Sequence, residues 1–145
     1  PISYIIDKGS DFLKLIEMEG HSNIFAFDGF LDEFSKKVLG SKPDQDSKRY
    51  VKWLQQCLDI LDTHPIYETL KMSRFEKLTN TDGLYSMRYP NTPRNPRVLY
   101  FYVEENSIIL LCSFLEKNSS DYNNAIRTAQ DRKRTLEKQW PLDDN

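Results

Sequence analysis

Two strand-like segments that lie only two residues apart most constrain the fold of this chain. Pro96 to Glu104 and Ser107 to Phe114 are rich in aliphatic, β-branched and aromatic residues, with Glu105-Asn106 between them. So short a link joins antiparallel neighbours, and asparagine tolerates the positive φ that such a turn requires. Ile108 to Leu111 is apolar without alternation, which predicts a strand buried on both faces. The sequence therefore predicts an antiparallel sheet built around this hairpin.

Other segments predict the elements that surround the hairpin. Three further strand candidates are Asn23 to Phe27, Arg74 to Leu78 and Gly83 to Tyr89. Apolar residues at helical spacing predict helices from Asp28 to Gly40, from Ser47 to Asp62 and from Ser120 to Gln139. Nearer the start, Ile2 to Ile6 is a weak strand candidate, and Ser10 to Met18 is predicted to be a helix that ends at Gly20. The predicted fold class is α+β, a sandwich of helices against one sheet.

Composition sets the broad class of protein. The chain has 145 residues, of which 39% are hydrophobic, so a single domain over residues 1–145 is expected and a disordered chain is excluded. The longest apolar stretch, Ser107 to Leu115, is too short to cross a membrane, and no signal-peptide pattern opens the chain. Cys57 and Cys112 both lie in apolar runs, which favours buried free thiols. A cytoplasmic location is expected.

The charge distribution is uneven. The net charge of −2 disfavours a protein that coats nucleic acid through its bulk charge. Between Lys71 and Tyr100, however, six basic residues face two acidic ones, a local charge of +4. Such a segment can form a local binding site in an otherwise acidic protein.

Few catalytic motifs are present. His21 and His64 lack neighbours at metal-ligand spacing, and neither a phosphate-binding glycine loop nor a serine nucleophile motif occurs, so no metal and no cofactor are expected. Arg88, Arg97 and Lys117 lie at strand ends, where a meander can bring them together to bind phosphate. A solvated surface or a set of ion pairs is the alternative interpretation. Arg97 shares its side of the strand with Leu99, Phe101 and Val103, so that face is partly apolar or Arg97 lies at its rim.

Five motifs, in order, resemble a known family. Phe75-Glu-Lys-Leu-Thr and Asp82-Gly-Leu-Tyr-Ser-Met-Arg88 are similar to the "KLtdGLyElR" segment of the RelE/ParE toxin superfamily, in its HigB-like, phage-derived branch. Pro96-Arg97-Val-Leu-Tyr100 resembles the "yRilY" strand, and Ile108-Ile-Leu-Leu-Cys-Ser-Phe114 resembles "ivlLhgF". Lys117 aligns with the second lysine of "FxKK", and Ile126 and Ala129 align with "EIxxA". The resemblance implies a sheet of about four to five strands, antiparallel or mixed, packed against an N-terminal helical hairpin, with a C-terminal helix. Residues 1–22 are then an N-terminal extension.

The resemblance also implies a function. Many of these toxins belong to type II toxin–antitoxin modules and cleave mRNA on the ribosome without a metal, through attack of the ribose 2′-hydroxyl on the adjacent phosphate. By carry-over, Arg97 and Arg88 neutralise the phosphate, and Lys117 assists in charge stabilisation or proton transfer. Lys77, Arg94 and Tyr122 are the expected RNA-binding residues. Glu116 replaces the first lysine of "FxKK" and is either a general base or an ion-pair partner of Lys117.

Partners and alternatives follow from the same resemblance. The expected partners are a cognate antitoxin, a small helix-turn-helix protein, together with mRNA and the ribosome; no membrane is expected. One alternative is a toxin of the same fold that inhibits a protein target such as DNA gyrase by binding. Another is a non-catalytic protein-binding module.

Overall fold

The structure is a computed structural model that describes residues 14–40, 45–89, 95–104 and 106–139. Its six strands are β1 (Leu15–Met18), β2 (His21–Phe27), β3 (Phe75–Lys77), β4 (Tyr85–Arg88), β5 (Asn95–Val103) and β6 (Ser107–Glu116). Its helices are α1 (Phe30–Phe34, which continues as a π-helical turn over Ser35–Leu39), α2 (Gln45–Thr63), α3 (Ile66–Thr69) and α4 (Ser119–Gln139). The α+β class is therefore confirmed.

All six strands belong to one mixed sheet in the order β1-β2-β6-β5-β4-β3. The pair β2 and β6 is parallel, with Ile24 opposite Ile108, and every other neighbouring pair is antiparallel. The predicted hairpin is present as β5 and β6, although β5 ends at Val103 and Glu104 adopts a positive φ of 59°. The prediction for Ile108 to Leu111 is confirmed, because all four side chains are buried in the interior strand β6.

Helices cover both faces of the sheet. One face packs against α1 and α2, because α2 presents an apolar stripe at spacings of three and four residues: Tyr50, Trp53, Leu54, Cys57, Leu58 and Leu61. The other face packs against α4 through Ala125, Ala129 and Leu136. Because strand residues alternate between faces, the two cores are separated by the sheet itself. The described elements therefore form three layers, in which α4 is the helix that packs on the second face of the sheet.

The first part of the chain differs from the prediction. Residues 15–18 form a strand rather than a helix, and residues 10–13 of that prediction, together with Ile2 to Ile6, lie outside the described residues. Leu15 pairs with Phe27 and Ile16 with Ala26 across the hairpin, and Gly20 at φ 83° turns the chain instead of ending a helix. Cross-strand pairing supplies the backbone hydrogen bonds that the predicted helix would otherwise have supplied. Among the described residues the sheet therefore has six strands rather than four to five, and a β-hairpin precedes α1 and α2.

An ion pair fastens the two helical layers to the part of β6 that extends beyond β2. The Glu33 carboxylate of α1 accepts a hydrogen bond from the Ser113 backbone N–H at 2.8 Å and lies 3.0 Å from the Arg132 guanidinium of α4. Arg132 also donates to the Leu111 carbonyl at 2.8 Å and lies 4.0 Å from the Phe27 ring centroid. These contacts satisfy backbone groups of β6 that have no strand beside them.

Both cysteines are free and buried, as the sequence predicts. Burial raises the pKa of each thiol to about 12. In the part of the chain that the structure describes, no helix is both long enough and apolar enough to cross a bilayer.

Candidate functional site

Arg97 lies near the start of β5, on the face that α4 covers. Its Cα pairs with that of Phe114 on β6, and its side chain lies on the same face of β5 as Leu99 and Phe101 of the apolar core. Only 8% of Arg97 is exposed to solvent, which is unusual for an arginine. Of the two predicted arrangements, a partly apolar face or a position of Arg97 at its rim, the structure shows a partly apolar face that includes the buried Leu99 and Phe101.

Two carboxylates hold the Arg97 guanidinium. Its Nε donates to Glu116 Oε1 at 2.6 Å, and one terminal nitrogen, Nη1, lies 3.4 Å from Glu76 Oε1. Glu116 ends β6 and Glu76 is the middle residue of β3, so the contacts join an interior strand to the edge of the sheet. A buried arginine requires such partners, because an unpaired charge in this position would be costly.

Tyr122, in the first turn of α4, packs its ring against the Arg97 guanidinium. Its ring centroid lies 4.6 Å from the Arg97 guanidinium carbon, a cation–π contact, and its hydroxyl lies 3.5 Å from Glu76 Oε1. Phe114 meets the same ring edge-on at 5.7 Å. Burial raises the pKa of Tyr122, and the positive charge of Arg97 acts against that shift. We call Glu76, Arg97, Glu116 and Tyr122 the Arg97 cluster.

The Arg97 cluster lies beside a shallow depression of about 410 Å³. Glu76, Glu116 and Tyr122 line it together with five smaller polar or aliphatic side chains and Asn123: Leu78, Thr79, Thr81, Ser119 and Ile126. With two carboxylates and one guanidinium, the cluster carries a formal charge of −1 when all three groups are ionised. Chemically it offers a proton acceptor, a cation for an oxyanion and a phenol within one small volume.

Among the described residues, no side-chain hydrogen bond or ion pair joins Arg88 or Lys117 to this cluster. Arg88 stands opposite Arg97 in the β4–β5 register, but its Nε donates to the Ser73 carbonyl at 2.9 Å. The exposed Lys117 follows β6 and lines a separate cleft of about 350 Å³ with Glu33 and Lys37. The structure therefore brings Arg97 and Tyr122 together and leaves the other two predicted phosphate ligands apart from them.

Lys77 and Arg94 complete the predicted set. Lys77 lies on the opposite face of the sheet from Arg97, since it alternates with Glu76 along β3 and its ammonium lies 5.9 Å from the Tyr85 ring centroid. Arg94 lies outside the described residues.

Glu76 and the pairing of Glu116 were missed by the sequence argument. From the sequence, Glu116 is predicted to be a general base or an ion-pair partner of Lys117, whereas the structure pairs it with Arg97. Arg97 and Glu116 lie on the same face of two neighbouring strands. This relation can be recognised in the sequence only once the register of the strands is known.

Among the described residues, no three His, Cys, Asp or Glu side chains lie close enough together to hold a metal ion. Comparison with known proteins gives no family assignment: no family model matches the chain, and no curated protein matches it either.

Proposed function

We propose that this chain is a toxin of a type II toxin–antitoxin module that acts as a metal-independent mRNA endoribonuclease. The observation that carries the proposal is the Arg97 cluster, in which a buried guanidinium lies between two carboxylates and beneath a tyrosine. The motif resemblance to RelE/ParE toxins supports it independently, since its strand motifs include Arg97 and run directly into Glu116.

The proposed reaction needs a base, a cation and a leaving group. Glu116 accepts the proton of the ribose 2′-hydroxyl, the 2′-oxygen bonds to phosphorus, and the bond from phosphorus to the 5′-oxygen breaks. Arg97 stabilises the added negative charge on the phosphoryl oxygens. The 5′-oxygen takes up a proton from solvent water, and Glu116 later releases its own proton to solvent, so the products are a 2′,3′-cyclic phosphate and a free 5′-hydroxyl.

The contacts of Arg97 suggest how a phosphate enters. The contact with Glu76 is long, at 3.4 Å, whereas the contact with Glu116 is short, at 2.6 Å. An arriving phosphate therefore replaces Glu76 at the guanidinium more readily than it replaces Glu116. Tyr122 is half exposed over the depression and stacks on a base, and the exposed Lys117, one residue beyond Glu116, neutralises a neighbouring phosphate.

Regulation and partners belong to the same proposal. A cognate antitoxin, a small helix-turn-helix protein, holds the chain inactive, and the ribosome presents the mRNA. Binding to the ribosome requires a positive surface on the protein in addition to the Arg97 cluster, because RNA binding is strongly electrostatic.

The experiment is induction of the chain without a partner, followed by mapping of mRNA ends. We expect growth arrest and new RNA 5′ ends that carry hydroxyl groups. Glu116→Gln keeps the size of the side chain and an oxygen that can accept from Arg97 Nε, but it removes the base and the negative charge. Arrest and cleavage should therefore be lost, while urea denaturation should still show a cooperative unfolding transition at a lower midpoint. Arg127→Gln on the outer side of α4 is the matched control and should remain toxic. Cleavage that persists in Glu116→Gln contradicts the assignment of the base.

A second candidate is a toxin that inhibits a protein target such as DNA gyrase without cleaving RNA. The observation that favours it is that both carboxylates already neutralise Arg97, which leaves no free charge for phosphate in that cluster. Growth arrest with intact mRNA and with loss of gyrase supercoiling activity in the presence of purified protein would support it. A chain that is harmless when expressed alone would instead indicate a non-catalytic protein-binding module.

A further inference from the structure

A second cleft contains the opposite kind of charge. It has a volume of about 370 Å³ and lies where α2 meets one end of the β3–β4 pair. Three cations line it, Arg49 and Lys52 from α2 and Arg74 from the residue before β3, and no Asp or Glu is among the described residues that do so. Trp53, Gln56 and Tyr89 complete the lining. We call this region the basic cleft.

The walls of the basic cleft are fixed by packing. The Trp53 indole N–H donates to the Arg88 carbonyl at 3.0 Å, which fastens α2 to the end of β4. The Tyr89 ring packs against Trp53, with ring centroids 6.2 Å apart, and against Tyr50, at 5.5 Å. Its backbone N–H donates to the Asn95 side chain at 3.0 Å. The cleft is therefore formed before any ligand arrives, which lowers the entropic cost of binding.

The cations differ in how they are held. Arg74 donates to Gln56 Oε1 at 3.4 Å, a neutral partner that leaves the positive charge uncompensated. Lys52 is exposed on α2 three residues after Arg49, so both side chains lie on the same side of the helix. A concentration of like charge is unfavourable in the isolated protein, and an anion in the cleft relieves it.

We propose that the basic cleft binds the phosphodiester backbone of a single-stranded nucleic acid. Guanidinium groups pair with phosphate through two parallel hydrogen bonds, and lysine adds a point charge. The half-exposed Tyr89 ring at the margin offers a face on which a base stacks. Cations with an interleaved aromatic ring are the features that single-strand binding proteins combine. Binding here does not depend on cleavage by the Arg97 cluster.

The basic cleft and the Arg97 cluster are neighbours at the end of β4. Tyr89 lines the cleft, and the residue before it, Arg88, is the register partner of Arg97. The end of β4 therefore separates the two regions, with α2 and the cleft on one face of the sheet and the Arg97 cluster on the other. A nucleic-acid strand bound in the basic cleft therefore passes the end of the sheet where β4 ends.

The test is binding of a fluorescein-labelled twelve-nucleotide 2′-O-methyl RNA, measured by anisotropy at low salt. This probe lacks the 2′-hydroxyl, so a failure of the proposed cleavage leaves the result unaffected. We expect a Kd of about 1–10 μM for the wild-type chain. Lys52→Glu should weaken binding about tenfold and lower the salt dependence by about 0.7 for each phosphate that the protein no longer neutralises. Lys52→Arg should bind as the wild type does.

Arg127→Glu is the matched control, because it makes the same change in net charge on the exposed side of α4. It should weaken binding less than twofold, and equal effects of the two variants would overturn the proposal. Lack of wild-type binding would also overturn it. A single-stranded DNA of the same length should show the same weakening, and a defect confined to RNA would exclude recognition of the backbone. Displacement of the probe by polyglutamate at equal charge concentration would favour an acidic protein segment instead.

Discussion

The Arg97 cluster and the basic cleft use the same kind of side chain in opposite electrostatic states. Arg97 is buried and paired with two carboxylates, whereas Arg74 contacts the neutral amide of Gln56 beside two further cations. Arg97 is therefore stabilised by its surroundings in the free protein, while the basic cleft is stabilised when an anion binds. Burial of a cation together with its acids indicates a place for chemistry or structure, and a cleft lined by several cations indicates a place for binding.

The largest effect that follows from this comparison is on stability. Arg97→Met keeps an apolar chain under Tyr122 but leaves Glu76 and Glu116 without a cation between them. We expect the free energy of unfolding to fall by about 2–3 kcal/mol, less than for a fully buried pair because Glu76 is partly exposed. Urea denaturation measures it. Arg127→Met should cost under about 0.5 kcal/mol, and an equally small loss at Arg97 would mean that the cluster is not structural.

The cysteines report on the two faces of the sheet separately. Cys112 belongs to the core under α4, on the Arg97 side, and Cys57 belongs to the core under α2. In Arg97→Met, we expect alkylation of Cys112 in the native protein to accelerate roughly tenfold, because local opening becomes less costly. Cys57 serves as the internal control and should react at nearly the wild-type rate. Mass spectrometry follows the alkylation of each thiol. Equal acceleration of both reactions would show that the two faces of the sheet open together.

Tyr122 tests how much its hydroxyl adds to the cluster. Tyr122→Phe removes the 3.5 Å contact with Glu76 and should cost about 0.5–1 kcal/mol at neutral pH. Because burial raises its pKa in the folded state, the stability linked to this phenol is present below pH 10 and is lost as pH rises through the folded pKa. The Phe variant should therefore lose less stability between pH 9 and pH 11 than the wild type. An identical alkaline loss in both proteins would argue against this linkage.

The smallest expected effect on stability is an increase, in the variant Lys52→Ala. Lys52→Ala removes one of three like charges in the basic cleft, so we expect stability to rise by about 0.2–0.5 kcal/mol at low salt. Added salt should remove the difference, since it screens exposed charges. Thermal denaturation at 20 mM and 500 mM salt checks both statements. Destabilisation by Lys52→Ala would mean that the three cations do not repel one another.

Much of the fold could be predicted because it depends on local pattern. The apolar stripe of α2 and the long apolar strands β5 and β6 each carry a signal within their own segment. The strand at residues 15–18 could not be recognised, because four residues show no clear period and its partner β2 decides its conformation. The short helix α3 after Pro65 was missed for the same reason of length.

The candidate sites depend on contacts that sequence order hides. Alternation along β5 places Arg97 at an apolar face, but Glu76 reaches it from the sheet edge, twenty-one residues earlier in the chain. The local charge of +4 between Lys71 and Tyr100 also does not survive as one surface. Folding pairs Arg97 with acids, moves Lys77 to the other face and joins Arg74 to two cations of α2. Only the docking of α2 on the sheet decides that last grouping.

The parallel pairing of β2 with β6 has a consequence for the order in which the protein is made. Ile24 pairs with Ile108, which is synthesised eighty-four residues later. At about 5–20 residues per second, the nascent β1–β2 hairpin spends roughly 4–17 s with an apolar edge that has no partner. So distant a contact also slows folding of the sheet. The Arg97 cluster is assembled later still, after Tyr122 has been synthesised, so the proposed activity can arise only once translation has passed this point.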